Sequence, residues 1–114
     1  MSYKFRTIPS FDRDLKHLGK RYPSLRDDML KLVEQLHDNP MMGVDLGRGV
    51  RKIRMSIQSK GKGKRGGARV IAHTDVMLEV KEGTICFLAL YDKSDLETIS
   101  DKRIMDLLEE AGIK

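Results

Sequence analysis

The 114-residue sequence has little cysteine, few aromatic residues and no long apolar run, and each shortage excludes a class of protein. The single cysteine, Cys86, cannot form an internal disulfide, and its place in an apolar run predicts a buried thiol and a reducing compartment. One cysteine and three scattered histidines lack the paired spacing of a zinc site, so we expect no metal. The longest apolar run, residues 85–91, is far shorter than the roughly 20 residues of a membrane helix. We therefore expect a soluble, cytoplasmic protein with no membrane partner.

Tryptophan is absent and aromatic residues make up only 5% of the chain, so leucine, isoleucine, valine and seven methionines must fill the core. With 39% hydrophobic and 34% charged residues, the chain is too apolar for a disordered protein and should have a heavily charged surface. A length of 114 residues suffices for one modest core, and neither a repeat nor a linker divides it. We expect one domain spanning residues 1–114.

Acidic residues are missing from one long segment of the chain. None lies between Asp45 and Asp75, whereas nine of the 22 basic residues do. The rest of the chain contains the other 13 basic residues and all 17 acidic ones, so it is mildly acidic, and the net charge of +5 comes from this one segment. A polarised charge of this kind attracts polyanions, although a solvated surface loop is the simpler alternative for any run of charge.

Hydrophobic periodicity predicts two helices in the first half of the chain. Apolar residues recur at helical spacing after Ser10, a suitable N-cap, and again after Pro23, a suitable residue for a first turn. The predicted elements are a strand at residues 3–8, a helix that follows Ser10 and ends near residue 19, a helix from Pro23 to about residue 39, and a glycine-punctuated loop at residues 41–49.

The second half of the chain alternates with the period of β-strands. In residues 51–58, Ile53 and Met55 fall on one side, while Lys52 and Arg54 fall on the other. Further strands are predicted at residues 68–80, with a break at 74–75, and at residues 84–91 after a turn at 81–83, and a short helix follows Ser100. This order predicts an α+β domain with an N-terminal strand and helical hairpin packed on a small, mainly antiparallel sheet, and a C-terminal helix.

Residues 59–69, S-K-G-K-G-K-R-G-G-A-R, contain five basic residues among four glycines, and we call them the cationic segment. A phosphate-binding loop of the G-x-x-x-x-G-K-[ST] type is excluded, because Gly67 and Ala68 replace the Lys and Ser/Thr and a strand follows. A linker is excluded because neither flank would fold alone. We therefore interpret the cationic segment as a mobile finger that joins two strands of one sheet and binds a polyanion.

Several short motifs follow one another in a characteristic order: Y-P-S-L at residues 22–25, N-P-x-x-G at 39–43, R-K-I-R at 51–54, K-G-K-R-G-G-A-R-V-I at 62–71 and L-Y-D-K-S-D at 90–95. In this order and spacing the sequence resembles the RelE/ParE superfamily of type II toxins, and it is most similar to the RelE and HigB-like branch. The resemblance covers almost the whole chain. It implies a RelE-like fold and a compact toxin that a small antitoxin neutralises. It also implies that the toxin enters the ribosomal A site and cuts mRNA without a metal or another cofactor.

The resemblance further implies roles for individual residues. Metal-free RNA cleavage uses the neighbouring 2′-OH as nucleophile, so the protein must neutralise charge on the phosphorane and move two protons. The family pattern makes Arg69 the clamp on the scissile phosphate, and the other implied catalytic residues are Lys52, Arg54, Tyr91 and Lys93. The remaining positions would hold the RNA backbone: Arg48, Arg51, Lys60, Lys62, Lys64, Arg65 and His73.

The sequence departs from the family pattern near its C-terminus. RelE-type toxins often have a late tyrosine there, but residues 93–114 contain neither Tyr nor His. Proton transfer would then fall to Tyr91, to a lysine or to His73, which shares the side of Arg69 on a regular strand. Two alternatives stay open: a ParE-like inhibitor of DNA gyrase, and a degenerate member that only binds RNA or its antitoxin. We expect the antitoxin to be acidic, partly disordered alone and to cover the basic patch.

Overall fold

Five strands form one mixed sheet, and three helices pack against it. The computed structural model describes residues 2–113. Its elements are β1 (Lys4–Thr7), α1 (Pro9–Gly19), α2 (Leu25–Asp38), β2 (Val44–Gly47), β3 (Val50–Met55), β4 (Ala68–Met77), β5 (Glu82–Asp92) and α3 (Asp101–Glu110), with a 3₁₀ turn at Gln58–Lys60. The predicted α+β class is confirmed, with a strand and helical hairpin before the antiparallel part of the sheet and a helix after it. No helix among these residues combines the length and the apolarity needed to cross a bilayer.

The two longest strands lie next to each other inside the sheet. The strand order is β1-β5-β4-β3-β2, in which β1 runs parallel to β5 and the other neighbours are antiparallel. Consecutive residues Val70 and Ile71 of β4 are both fully buried, as expected when both faces of a strand are covered. Cys86 of β5 is buried as predicted.

Helices α1 and α2 cover the sheet face that carries Ile53 and Met55. Both side chains are buried, which confirms the predicted alternation along β3. The register places Phe87 of β5 on the same face, and the ring of Phe11 from α1 stacks on it with 5.4 Å between centroids. The apolar stripe of α2 packs beside it and includes Leu32, which is almost completely buried. The helical hairpin therefore forms the main core with one face of the sheet.

Helix α3 lies against the opposite face, near β1. Ser100 caps it as predicted, because its side-chain oxygen accepts a hydrogen bond from the backbone N–H three residues later at 3.1 Å. At its other end, the carbonyl of Ala111 accepts from the guanidinium of Arg6 at 3.0 Å. Arg6 pairs with Cys86, whose side chain points away from the face of Phe87. The site described below lies on the rest of that opposite face, toward the end of β5.

Both predicted helix starts were wrong by one or two residues. Helix α1 begins at Pro9, because proline is well suited to the first helical position, and Ile8 precedes it. The hydroxyl of Ser10 donates instead to Glu110 of α3 at 2.5 Å. Helix α2 begins at Leu25, so Pro23 precedes that helix and does not open it.

The strand boundaries also differ from the prediction. The turn between β4 and β5 lies at residues 78–81 and not at 81–83, because β4 ends at Met77 and β5 already begins at Glu82. The predicted loop at residues 41–49 contains β2, an edge strand that is exposed along its whole length and so shows no apolar alternation. Strand β3 ends at Met55 because the following residues turn into the 3₁₀ turn. Strand β4 runs without a break through Thr74 and Asp75. The irregularity in its pairing lies earlier, between Ile71 and Ala72, where β5 carries an extra residue.

Candidate functional site

Three side chains lie in direct register across β3, β4 and β5. Arg54 pairs with Arg69, and Arg69 pairs with Tyr91. Residues in direct register project from the same face, on strands about 4.8 Å apart. Lys52 lies two residues from Arg54 and therefore on the same face, level with Ile71. We call Arg54, Arg69 and Tyr91 the site row.

Arg69 is buried beneath the cationic segment, and its guanidinium holds that segment in place. Nη1 donates to the carbonyls of Lys64 and Ala68, and Nη2 donates to the carbonyl of Arg65, each at 3.1 Å. No carboxylate among residues 2–113 forms an ion pair with it. Burial, and then the charge of Arg54, lower the pKa of Arg69, but an arginine stays protonated in proteins. The site row therefore contains a buried positive charge that no anion of the described chain neutralises.

The hydroxyl of Tyr91 is buried and has no hydrogen-bond partner among the described residues. An unsatisfied buried group of this kind costs about 1–3 kcal/mol, and native proteins contain few of them. Burial raises the pKa of the Tyr91 phenol although the charge of Arg69 opposes the shift, so the phenol is protonated at neutral pH. The site row thus combines two guanidinium groups with one unused proton donor.

The cationic segment is fastened at several points and does not project freely as the predicted mobile finger. Near its start, the N–H of Ser59 donates to the hydroxyl of Ser24 at 2.8 Å. Near its end, the N–H of Lys93 donates to the carbonyl of Gly67 at 3.1 Å. A Cβ at Gly67 would collide with the carbonyl oxygen of Met55, so this close approach to β3 requires glycine. The contacts leave three basic side chains of the cationic segment exposed: Lys62, Lys64 and Arg65.

A buried carboxylate, Asp92, joins the cationic segment to the helical hairpin. Its Oδ1 accepts from Nζ of Lys60 at 2.7 Å, and its Oδ2 accepts from the hydroxyl of Tyr22 at 2.5 Å and from Arg21 at 3.1 Å. Burial alone would raise the pKa of Asp92, but the hydrogen bonds from Lys60, Tyr22 and Ser94 outweigh burial and hold the pKa well below its usual range. The sequence analysis missed this residue, although an acidic residue directly after a long apolar strand was a usable signal.

The sequence of the chain matches a known family over most of its length. Residues 12–113 match the family model of the RelE toxin of the RelE/RelB toxin-antitoxin system. The chain belongs to the RelE toxin family. No curated protein matches it in sequence. Family membership confirms the predicted superfamily and makes the protein a toxin of a toxin-antitoxin system, with a cognate antitoxin as partner.

The fold brings four of the five predicted catalytic residues onto one sheet face. These are Lys52 and the three members of the site row. Lys93, the fifth, follows β5 directly and is exposed at a shallow pocket that Lys62 also lines. The predicted catalytic residues therefore lie on or next to neighbouring strands at the end of the sheet where the cationic segment is attached.

Three of the predicted RNA-binding residues are engaged or placed elsewhere. Lys60 is the cation of the Asp92 ion pair, so its charge is already neutralised. Arg51 alternates with Lys52 and so faces the side of the helices, where its guanidinium donates to two carbonyls of the loop before β2 at 3.0 Å. Arg48 occupies the turn between β2 and β3 with a φ of 56°, beside the end of α3.

His73, a fourth predicted RNA-binding residue, shares the face of Arg69 but lies four residues away, about 13 Å along β4. Its ring packs against Gly49, where an added Cβ would lie 2.9 Å from Nε2. Burial lowers the pKa of His73, which favours the neutral imidazole at pH 7. Neither His73 nor any other side chain among residues 2–113 belongs to a group of three His, Cys, Asp or Glu that could hold a metal ion. The geometry gives His73 a packing position outside the site row.

Replacing Asp92 by alanine should lower the free energy of unfolding of the protein by about 3 kcal/mol, because the buried ion pair and hydrogen bonds lose their acceptor. Urea denaturation followed by circular dichroism measures the change. Asp95→Ala is the matched control, since the exposed ion pair of Asp95 with Arg21 should contribute less than about 1 kcal/mol. Equal losses in the two variants would contradict the structural role of Asp92.

The stability difference between the wild type and Asp92→Ala should also depend on pH. The pKa of Asp92 is lower in the folded than in the unfolded protein, so its contribution is fully present above the unfolded-state value of about 3.9. The contribution is lost as the pH falls below that value toward the folded-state pKa. The two unfolding curves should therefore converge only in strong acid.

Proposed function

We propose that this RelE toxin is an endoribonuclease that cuts mRNA on the ribosome without a metal ion and so inhibits translation in the cytoplasm. The observation that carries the proposal is the site row, in which two unneutralised guanidinium groups and a protonated phenol lie side by side on one sheet face. A phosphate placed there would meet the charges and the proton donor that transesterification of RNA requires.

The reaction begins when a ribose 2′-OH attacks the adjacent phosphorus. A bond forms between the 2′ oxygen and phosphorus, and the bond from phosphorus to the 5′ oxygen of the next nucleotide breaks. The products are a 2′,3′-cyclic phosphate and a free 5′-OH. Arg54 is exposed and can hold a phosphate oxygen directly, while the buried charge of Arg69 stabilises the phosphorane from below.

Two proton transfers accompany these steps. Tyr91 gives its proton to the departing 5′ oxygen, which suits a phenol that is protonated at neutral pH. The hydroxyl is covered in the free protein, so its side chain or its neighbours must shift when RNA binds. Lys52 lies half-buried on the face of Arg54, and we assign to it the role of taking the proton of the 2′-OH. Lys93 adds positive charge two residues after Tyr91.

Exposed basic side chains beside the site row provide the affinity for RNA. Lys62, Lys64 and Arg65 lie on the cationic segment and can bind phosphates of mRNA or ribosomal RNA without regard to sequence. An acidic segment of the antitoxin is the partner that would neutralise this surface. Because the ribosome presents mRNA as a single strand, the proposed cleavage takes place there.

Purified toxin added to translating ribosomes should cut the mRNA and leave 5′-OH ends. Primer extension locates the cuts, and labelling by polynucleotide kinase without prior phosphatase treatment identifies the 5′-OH. The same mRNA without ribosomes is the control and should stay intact. Stabilised gyrase–DNA cleavage complexes with intact mRNA would instead establish the ParE-like alternative, and intact mRNA with undisturbed growth would establish the degenerate one.

A further inference from the structure

A cavity of about 460 Å³ lies on the other flank of the cationic segment, between α2 and the end of β3. Its floor is apolar and is formed by Leu32, Met55 and Ile57. Gly61 and Gly63 of the cationic segment form part of its wall, and an added Cβ at either would meet no atom within 4 Å. The cavity is thus roomy and within the usual range of small-molecule sites, about 300–1,000 Å³.

The polar groups of this cavity are of the kind that recognises nucleobases. The chain has two glutamines, Gln35 and Gln58, and both line the cavity together with Ser56. The backbone N–H of Gln58 donates to Asp28, but no hydrogen bond within residues 2–113 occupies either carboxamide. Each carboxamide offers donors and an acceptor, the combination that pairs with the edge of a base in single-stranded RNA.

The charges around the cavity favour a ligand with a phosphate. Lys31 of α2 and Lys64 of the cationic segment supply two cations. Asp28 is the carboxylate among the lining residues, and both of its oxygens are engaged, since Oδ2 accepts from Ser24 at 2.7 Å and Oδ1 from the N–H of Gln58 at 3.3 Å. The carboxylate is therefore occupied within the fold, whereas the two ammonium groups have no ion-pair partner among the described residues.

The cavity lies on the helix side of the sheet, since Leu32 and Met55 line it, whereas the site row lies on the opposite face; two segments of the chain connect them at the end of β3. Ser56 lies two residues beyond Arg54, about 7 Å along an extended chain. Lys64 lines the cavity with its side chain, while its carbonyl accepts from Arg69. Strand β2 pairs only with residues 50–52 of β3, so no strand within residues 2–113 pairs with the outer edge of β3, away from β4, between Arg54 and Ser56. An RNA strand held at the site row can cross this edge and reach the cavity.

We propose that this cavity is a subsite for one nucleotide next to the scissile bond, in which Gln35 and Gln58 contact the base and Lys31 and Lys64 contact the phosphate. The inference rests on the proposed RNA cleavage at the site row. It adds a preference for particular bases beside the cut, which the phosphate contacts of the cationic segment cannot supply.

Nucleotide binding can be tested without any cleavage, by NMR titration of the ¹⁵N-labelled toxin with each 5′-nucleoside monophosphate. We expect saturable shifts of the backbone amides of Ile57 and Gly61 and of both glutamine carboxamides, with at least one of the four nucleotides. The double variant Gln35→Ala/Gln58→Ala should lose these shifts. The matched control is Glu34→Ala, an exposed neighbour of Gln35 on α2 that does not line the cavity. Shifts that inorganic phosphate reproduces in full, or no shifts at the cavity, would overturn the subsite.

Mapping of cleavage sites tests the consequence for RNA. In the double variant, the discrimination between bases beside the cut on ribosome-bound mRNA should fall about tenfold, whereas the control Glu34→Ala should keep the wild-type preference. An unchanged base preference would overturn the inference. If the wild-type toxin leaves mRNA intact while the nucleotide shifts appear and depend on the glutamines, the proposed nuclease function fails and the nucleotide site stands.

Discussion

Replacing Arg54 by alanine should lower the rate of ribosome-dependent mRNA cleavage by about 100- to 1,000-fold. Arg54 is exposed, lies level with Arg69 and forms no ion pair within residues 2–113, so its guanidinium is available to a phosphate. The negative charge on the phosphate oxygens is greatest in the transition state, so the loss should appear in kcat. Single-turnover cleavage of mRNA in a purified ribosome complex gives this rate.

Two further variants separate the role of Arg54 from net charge. Arg54→Lys keeps the charge but loses the planar fork, so its rate should fall between those of the wild type and the alanine variant. Arg26→Ala removes an exposed arginine from α2 and should cut mRNA at the wild-type rate. An Arg54→Ala toxin with undiminished cleavage, folded as judged by circular dichroism, would remove Arg54 from the mechanism.

Alanine at Arg69 would give a less clear result than alanine at Arg54. The Arg69 guanidinium donates to three backbone carbonyls in or next to the cationic segment, so its loss would release that segment as well as a charge. Loss of cleavage in Arg69→Ala would therefore have two causes. Arg54 has the advantage that its side chain makes no hydrogen bond within the described part of the fold.

Replacing Tyr91 by phenylalanine should reduce cleavage by about 100-fold or more, because the departing 5′ oxygen loses its proton donor. The same change removes a buried hydroxyl that has no partner, so the free energy of unfolding should stay the same or rise. Cleavage rates and urea denaturation of the same preparations test both parts. Since the pKa of Tyr91 is raised above 10, ionisation of the phenol should not reduce wild-type cleavage between pH 7 and pH 9.

Thr74 supplies the matched control for Tyr91. Its Oγ1 is the other buried hydroxyl without a hydrogen-bond partner among residues 2–113, and it lies on β4 outside the site row. Thr74→Val should be at least as stable as the wild type and should cleave at the wild-type rate. If Thr74→Val and Tyr91→Phe lost cleavage equally, the effect would come from altered packing of the sheet and not from a proton donor.

The sequence predicted the parts of this fold that depend on local periodicity. The alternation of Ile53 and Met55 identified β3 and its buried face, and the serine before α3 identified a cap that the structure confirms. Strand β2 was missed because an exposed edge strand needs no apolar side chains. The pairing of Arg54 with Arg69 depends on the register between two strands, and alternation within one strand does not determine that register.

The contacts of charged side chains were the least predictable part of the candidate site. Lys60 and Arg69 both belong to the basic patch in the sequence, yet the structure gives Lys60 an ion pair with Asp92 and gives Arg69 a set of backbone carbonyls. These partners lie on other elements or in a turn whose course the sequence does not specify. The sequence therefore predicted the sign and the location of the basic patch, but not which of its cations have partners within the fold.

The parallel pairing of β1 with β5 delays folding of this toxin during its synthesis. Thr7 is synthesised early but pairs with Phe87, 80 residues later. At about 5–20 residues per second, β1 therefore remains without its neighbour for roughly 4–16 s. Tyr91 emerges later still. The proposed nuclease site would therefore be incomplete while most of its own message is being translated, and the ribosome that makes the chain would be spared until the chain is almost finished.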